Sequence, residues 1–180
     1  MRIVAGERKG MRLLAPRGGD TRPTSDMVRE AMFSILGDVT GLCVLEPFAG
    51  TGALGLEALS RGAASVQFCE VSQAALHALR ENVRRLEYAG RAIVRRQDGR
   101  RRMAADRARG TSYDLLLLDP PYRMLPILQD DLSLHLPDLL RPGGRAVVEG
   151  ATETPALALP LPLLVDRVHG GTRIAVYGDG

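Results

Sequence analysis

At 180 residues, 45% apolar and 25% charged, the chain is long enough for one α/β domain with a full core and at most a short appendage. No apolar run approaches a membrane span, no secretory leader is evident, and neither the two cysteines (Cys43, Cys69) nor the scattered His77, His135 and His169 have metal-ligand spacing, so a reduced, cytoplasmic, metal-free protein is expected. The net charge of +3 hides segregation: residues 1–22 carry +4, residues 80–109 carry +7 and residues 110–180 carry −4. Such a basic surface suits a polyanion, although a solvated helix face or a bias toward arginine would look the same, since Lys9 is the only lysine.

Residues 1–15 read as a small basic hairpin, with Arg2–Gly6 and Met11–Leu14 flanking a turn, and a Pro/Gly-rich link follows to Pro23. The division is therefore an extension and link over residues 1–23 and a main domain over residues 24–180. A helix capped near Thr24-Ser25 carries Met27, Val28, Ala31, Met32, Ile35 and Leu36 at helical spacing and stops at Gly37. Strands are then predicted over 42–48, 65–70, 92–97, 114–118 and 145–149, separated by helices over 53–61, 71–88, about 99–109 and 125–140. A hairpin over 163–168 and 173–177, around Gly170-Gly171, ends the chain. Repeated βα units imply a parallel sheet, with the last hairpin adding antiparallel strands at its edge.

Two motifs carry chemistry. After the first strand of the main domain, Glu46-Pro47-Phe48-Ala49-Gly50-Thr51-Gly52 leads through a glycine loop into a helix, where glycines permit φ > 0 and bring backbone N–H groups close to a ligand. The string Gly50-Thr51-Gly52-Ala53-Leu54-Gly55, with Glu70 at the end of the next strand, also satisfies a dinucleotide-binding pattern. Against NAD stand the Glu46 carboxylate, which would repel a pyrophosphate, and the lack of room for a separate substrate domain. S-adenosylmethionine fits better: Glu70 for its ribose, acceptors near Glu46 for its ammonium group, and Asp98 for its adenine amine. Taken singly, Glu70 and Asp98 also read as turn acids at strand ends; their shared position favours a site.

The second motif is Asp119-Pro120-Pro121-Tyr122, directly after the apolar run Leu115–Leu118. Two prolines stop the strand and form a rigid lip at the carboxyl end of the sheet, where ligands of open α/β sheets bind. The Asp119 carboxylate, the Pro120 carbonyl and the Tyr122 ring suit the exocyclic amine of a planar base, with Tyr122 stacking on it or, alternatively, packing as a strand-end aromatic. Pro121, Arg2, Arg8, Lys9, Arg12, Arg22, Ser25 and Arg29 are candidate nucleic-acid contacts, with closure over the cofactor as a second role for Arg22, Ser25 and Arg29. For Ser25 helix capping, and for Arg29 an ion pair with Asp26 or Glu30, are equal alternatives.

Together these residues resemble the RsmD family of 16S rRNA guanine-N2 methyltransferases, through Arg2–Gly6, Thr21–Phe33, Phe48–Gly62 and Asp119–Tyr122. The glycine loop and the Asp-Pro-Pro-Tyr string are shared by many amino-group methyltransferases, and residues 22–33 point to this family. Glu46-Pro47 stands where the family usually has Asp-Leu, which keeps the carboxylate. The resemblance implies a class I (Rossmann-like) methyltransferase fold: a seven-stranded, mostly parallel sheet with an antiparallel C-terminal edge hairpin and a short N-terminal β-hairpin extension. It further implies S-adenosylmethionine as methyl donor, a guanine of 16S rRNA in the small ribosomal subunit as acceptor, and a monomer. Adenine N6 in DNA or a glutamine amide as acceptor, an NAD-linked oxidoreductase, and an inactive RNA-binding module are the competing expectations.

Overall fold

Alternating strand and helix segments assemble, in a computed structural model that describes residues 1–16 and 25–179, into a seven-stranded sheet of order β3-β2-β1-β4-β5-β7-β6. The strands are β1 (Cys43–Glu46), β2 (Ser65–Glu70), β3 (Ala92–Arg96), β4 (Tyr113–Leu118), β5 (Leu140–Ala151), β6 (Leu163–His169) and β7 (Thr172–Gly178). The helices are α1 (Asp26–Leu36), α2 (Ala53–Ser60), α3 (Gln73–Arg85), α4 (Gly99–Ala108) and α5 (Leu125–Leu139). β1 to β5 pair in parallel, while β7 runs antiparallel to both β5 and β6. The chain winds outward from β1 to β3, then restarts beside β1 with β4, so the strand order reverses between β1 and β4. In open α/β sheets such a reversal forms a crevice at the carboxyl ends of the strands, where ligands bind.

The sheet is buried on both faces, as a parallel sheet requires. Period-two alternation divides β4 between the two layers: Leu115 and Leu117 join the cluster beneath α1, α2 and α3, while Leu116 and Leu118 join the one beneath α5. β5 starts earlier than the sequence suggests. Leu140 already pairs with Tyr113, and an irregularity at Pro142–Gly144 restores the register at Arg145 opposite Leu115. No helix among the described residues is long and apolar enough to cross a membrane.

The N-terminal residues do not stand off from this core. The hairpin is reduced to one bridge, Arg2 to Arg12, and its Ile3 and Leu13 are buried within the main cluster. Glu57, a lone acid in a wholly buried eight-residue helix, accepts the N–H groups of Val4 (2.7 Å) and Ala5 (2.9 Å). Ser60 accepts from Glu7 and Arg8 and donates to the carbonyl of Ala5. Gly6 passes so close to the Ser60 carbonyl that any side chain would collide with it. Arg29 is fully buried, donating to the Arg2 carbonyl (2.5 Å) and to Asp26 (2.6 Å), with its Nε 3.8 Å from Glu57. Arg61 pairs with Glu57 from the other side.

Removing the Glu57 side chain strips two partly buried N–H groups of their acceptor and leaves Arg29 without one of its counter-charges. Glu57→Ala is expected to lower unfolding stability by about 3 kcal/mol, the usual cost of breaking a buried charge pair. Urea unfolding of the two proteins measures this, and an unchanged midpoint would show that the N-terminal segment is held by its apolar residues alone.

Candidate functional site

Each of the five parallel strands carries a carboxylate on, or within two residues of, its carboxyl end: Asp98 after β3, Glu70 on β2, Glu46 on β1, Asp119 after β4 and Glu149 near the end of β5. Glu46 is 2% exposed and its Oε2 accepts the N–H of Gly55 at 2.8 Å, in the first turn of α2. Burial pushes its pKa well above the usual carboxylate range; the Gly55 N–H opposes this, and the charges of Asp119 and Glu70 add to it. Three of the predicted site acids therefore share one electrostatic environment. Glu149, which the sequence reading missed, lies in the neighbouring register, since Leu118 pairs with Val148.

Two carboxylates pin the glycine loop. Glu70 Oε2 accepts the N–H of Gly50 at 2.7 Å while its Oε1 accepts from Val71 and Ser72, and Glu46 holds Gly55. Between them Ala49 N–H bonds to the Cys69 carbonyl and Gly52 N–H to that of Ala49, so the loop continues the edge of β2 before turning. Gly50 (φ 53°) and Gly52 (φ 79°) take left-handed backbone, and Leu79 of α3 fills the space that a side chain at Gly52 would need. Phe48 is half-buried against the α5-side cluster and Ala49 is buried.

Asp98 is the N-cap of α4, accepting from Arg101 N–H at 3.0 Å. The turn-acid alternative is thus realised through one oxygen, and a carboxylate has lone pairs left for a second partner. Gly99, next in sequence, lies against the Pro47 carbonyl with no room for a Cβ, which locks the β3–α4 turn onto the glycine loop. Asp119 is half-buried at the end of β4, Pro120 is buried and Pro121 is exposed. The Pro121 carbonyl accepts from Met124, and Tyr122 opens the 3₁₀ turn Tyr122–Met124.

The basic candidates separate into different roles. Lys9 and Arg12 are exposed; Arg2 is exposed beside Asp26; Arg8 pairs with Glu87 and donates to the Leu86 carbonyl. Ser25 caps α1, its Oγ accepting from Val28 N–H. Arg29 takes up the ion pair with Asp26 and is buried, so its guanidinium faces the N-terminal backbone rather than solvent. Arg22 and the side chain of Tyr122 lie outside the described residues. In the arginine-rich stretch, Arg84, Arg91, Arg100, Arg102 and Arg107 pair with Glu81, Glu7, Asp131, Asp106 and Asp138. Arg96, at the end of β3, and Arg101, in the first turn of α4, are exposed.

The model of the family described as "Conserved hypothetical protein 95" matches residues 1–178. Over 180 residues the chain is 33% identical to a Bacillus subtilis protein named "Putative rRNA methyltransferase YlbH", covering 98% of each. It is 37% identical over 135 residues to Ribosomal RNA small subunit methyltransferase D of Escherichia coli K12, a match spanning 74% of this chain and 66% of that one. The solved structure titled "Putative methyltransferase yhhF from Escherichia coli" superposes with a TM-score of 0.84 at 33% identity, over 98% of this chain and 96% of the other. The seven-stranded architecture is that of the class I methyltransferases.

The buried Glu46 gives a pH signature. Its folded pKa lies above its unfolded one, so the folded chain holds the extra proton and stability falls as pH rises out of the ordinary carboxylate range. Glu46→Gln keeps an acceptor for Gly55 and removes that fall. The variant is expected to melt higher than the parent at neutral pH, by a margin that shrinks toward about pH 4.5. Melting curves across this range check it, and parallel profiles would place the Glu46 charge in an unstrained setting.

Proposed function

The chain belongs to the family described as conserved hypothetical protein 95, and from that premise we propose that it transfers a methyl group from S-adenosylmethionine to the N2 amine of a guanine in 16S rRNA of the small ribosomal subunit. One observation carries the choice of cofactor. The first turn of α2, which would cradle a pyrophosphate in a dinucleotide enzyme, already has its Gly55 N–H taken by the Glu46 carboxylate. An anion entering there meets Glu46, Glu70 and Asp119; a sulfonium with an ammonium group meets the counter-charges it needs. Glu70 and Asp98 would hold the ribose hydroxyls and the adenine amine, and the backbone of Phe48–Gly52 would line the floor.

The cofactor, when bound, supplies an electrophilic methyl carbon. The remaining work falls to the chain, which must make a poor nucleophile react by aligning it. The guanine amine has its lone pair delocalised into the ring. Hydrogen bonds from its two hydrogens to the Asp119 carboxylate and the Pro120 carbonyl turn the lone pair toward the methyl group and favour sp³ geometry. The methyl carbon would pass to that nitrogen with the electron pair of the carbon–sulfur bond left on sulfur. The surplus proton leaves the strongly acidic product nitrogen for Asp119 or for water, which the half-buried setting of Asp119 admits. Tyr122 stacks on the base drawn out of the RNA. Lys9 and Arg12 on the hairpin, with Arg96 and Arg101 beside the β3 end, offer cations to the flanking phosphates.

Methyl transfer from labelled S-adenosylmethionine to unmodified small subunits, read by nucleoside mass spectrometry, is expected to give N2-methylguanosine at one position. Label on adenine N6, or on protein only, would move the acceptor elsewhere. Asp119→Ala is expected to lower kcat by about 100-fold or more, with a far smaller change in cofactor affinity. Near-normal turnover would remove Asp119 from the reaction.

A further inference from the structure

A single buried side chain joins the N-terminal segment to the glycine loop. Asn82, on the inner side of α3, is 1% exposed. Its Oδ1 accepts the N–H of Leu14 at 2.7 Å, and its Nδ2 donates to the Leu14 carbonyl (3.1 Å) and to the Thr51 carbonyl (3.2 Å). Both amide hydrogens and the oxygen are therefore engaged, and the side chain treats Leu14 as a neighbouring strand would, taking its donor and its acceptor together. Aspartate matches the shape but has no hydrogens to give; leucine has neither function.

The position of Thr51 makes this bond consequential. It lies between Gly50 and Gly52, both in left-handed backbone, where a modest rotation redirects every N–H and carbonyl of the loop. Leu79, one turn earlier on α3, supports the loop from below at Gly52. Leu14 is in turn the end of a segment fixed to α2 at Val4, Ala5 and Arg8, the same segment that exposes Lys9 and Arg12.

We propose that Asn82 is a positioning residue that makes the N-terminal segment a structural part of the cofactor site, so that the strand carrying the basic groups and the loop receiving the cofactor order one another. The inference rests on the reading of Gly50–Gly52 as the S-adenosylmethionine loop. Coupling of this kind is reciprocal: whatever the segment contributes to cofactor affinity, cofactor returns as order in the segment. Residues 1–15 are then not a removable RNA handle, and their deletion abolishes cofactor binding.

Calorimetric titration with S-adenosylmethionine, on the full chain and on Asn82→Asp, tests it. The variant keeps an acceptor for Leu14 N–H, loses both donors and sets a carboxylate against two carbonyls. Its Kd is expected to rise about tenfold or more, the effect of unsatisfying one buried polar group, and the KM for cofactor to rise more than kcat falls. A folded variant with unchanged Kd overturns the inference and leaves the proposed function standing. A parent chain that binds no cofactor overturns both. Hydrogen exchange on the parent covers the case of a variant that does not fold: saturating cofactor is expected to slow exchange at Leu14 and across residues 3–14 by several-fold, and exchange there unaffected by cofactor overturns the inference.

Discussion

Burying a carboxylate at the end of the central strand costs several kcal/mol unless something local offsets it, and the way Glu46 is accommodated organises everything around the crevice. The first turn of α2 supplies an N–H and the positive end of the helix dipole, so strand and helix meet at a fixed distance with the glycine loop stretched between them. The offset is incomplete. Glu46 still faces Asp119 and Glu70, and its carboxyl holds a proton to unusually high pH. A cation bound beside Glu46 would relieve the repulsion that Asp119 and Glu70 exert on it. That repulsion distinguishes this glycine loop from one built for phosphate.

The second buried acid does the same work for the other half of the molecule. α2 is eight residues long, apolar and wholly buried, too short to hold its place by propensity. Glu46 fixes its start, and Glu57 fixes its middle by gripping the backbone of Val4 and Ala5. Arg29 and Arg61 close around Glu57. The N-terminal residues thereby become a wall of the domain, and Asn82 extends that wall to the loop.

The order of elements, the parallel sheet and the carboxyl-end acids of β1 to β4 were legible in the sequence because each is local: apolar alternation, a capping hydroxyl, a proline pair after a run of leucines. The fates of the arginines were not. Arg100 and Arg107 find Asp131 and Asp138 on α5, each 31 residues away, and no local pattern predicts which charges a fold will bring together. Arg29 looked like one more surface cation on an amphipathic helix until the N-terminal segment covered it. Glu57 did leave a trace, as an acid among seven small or apolar neighbours in a helix with no polar face. Asn82 left none, since an asparagine in a basic helix reads as a solvated position. The early start of β5 was hidden by Pro142 and the glycines after it, which read as a turn and instead form an irregularity within the strand.

Internal pairing also changes what the charge distribution means for the proposed substrate. Five of the eleven arginines of residues 80–109 pair with acids within the domain, and among the exposed cations that remain, Lys9 and Arg12 lie on the hairpin and Arg96 and Arg101 beside the β3 end. The floor of the crevice is acidic. An RNA strand lying in it would set its phosphates against Glu46, Glu70 and Asp119, while one held at the rim keeps them near the cations. Only a base, uncharged and flat, then enters without penalty, and the amine it presents is the group that carboxylates attract. On the proposed reading, the same acids would favour a cationic cofactor and disfavour the RNA backbone, and a nucleotide turned out of its stack would be the form of substrate that this electrostatic arrangement admits.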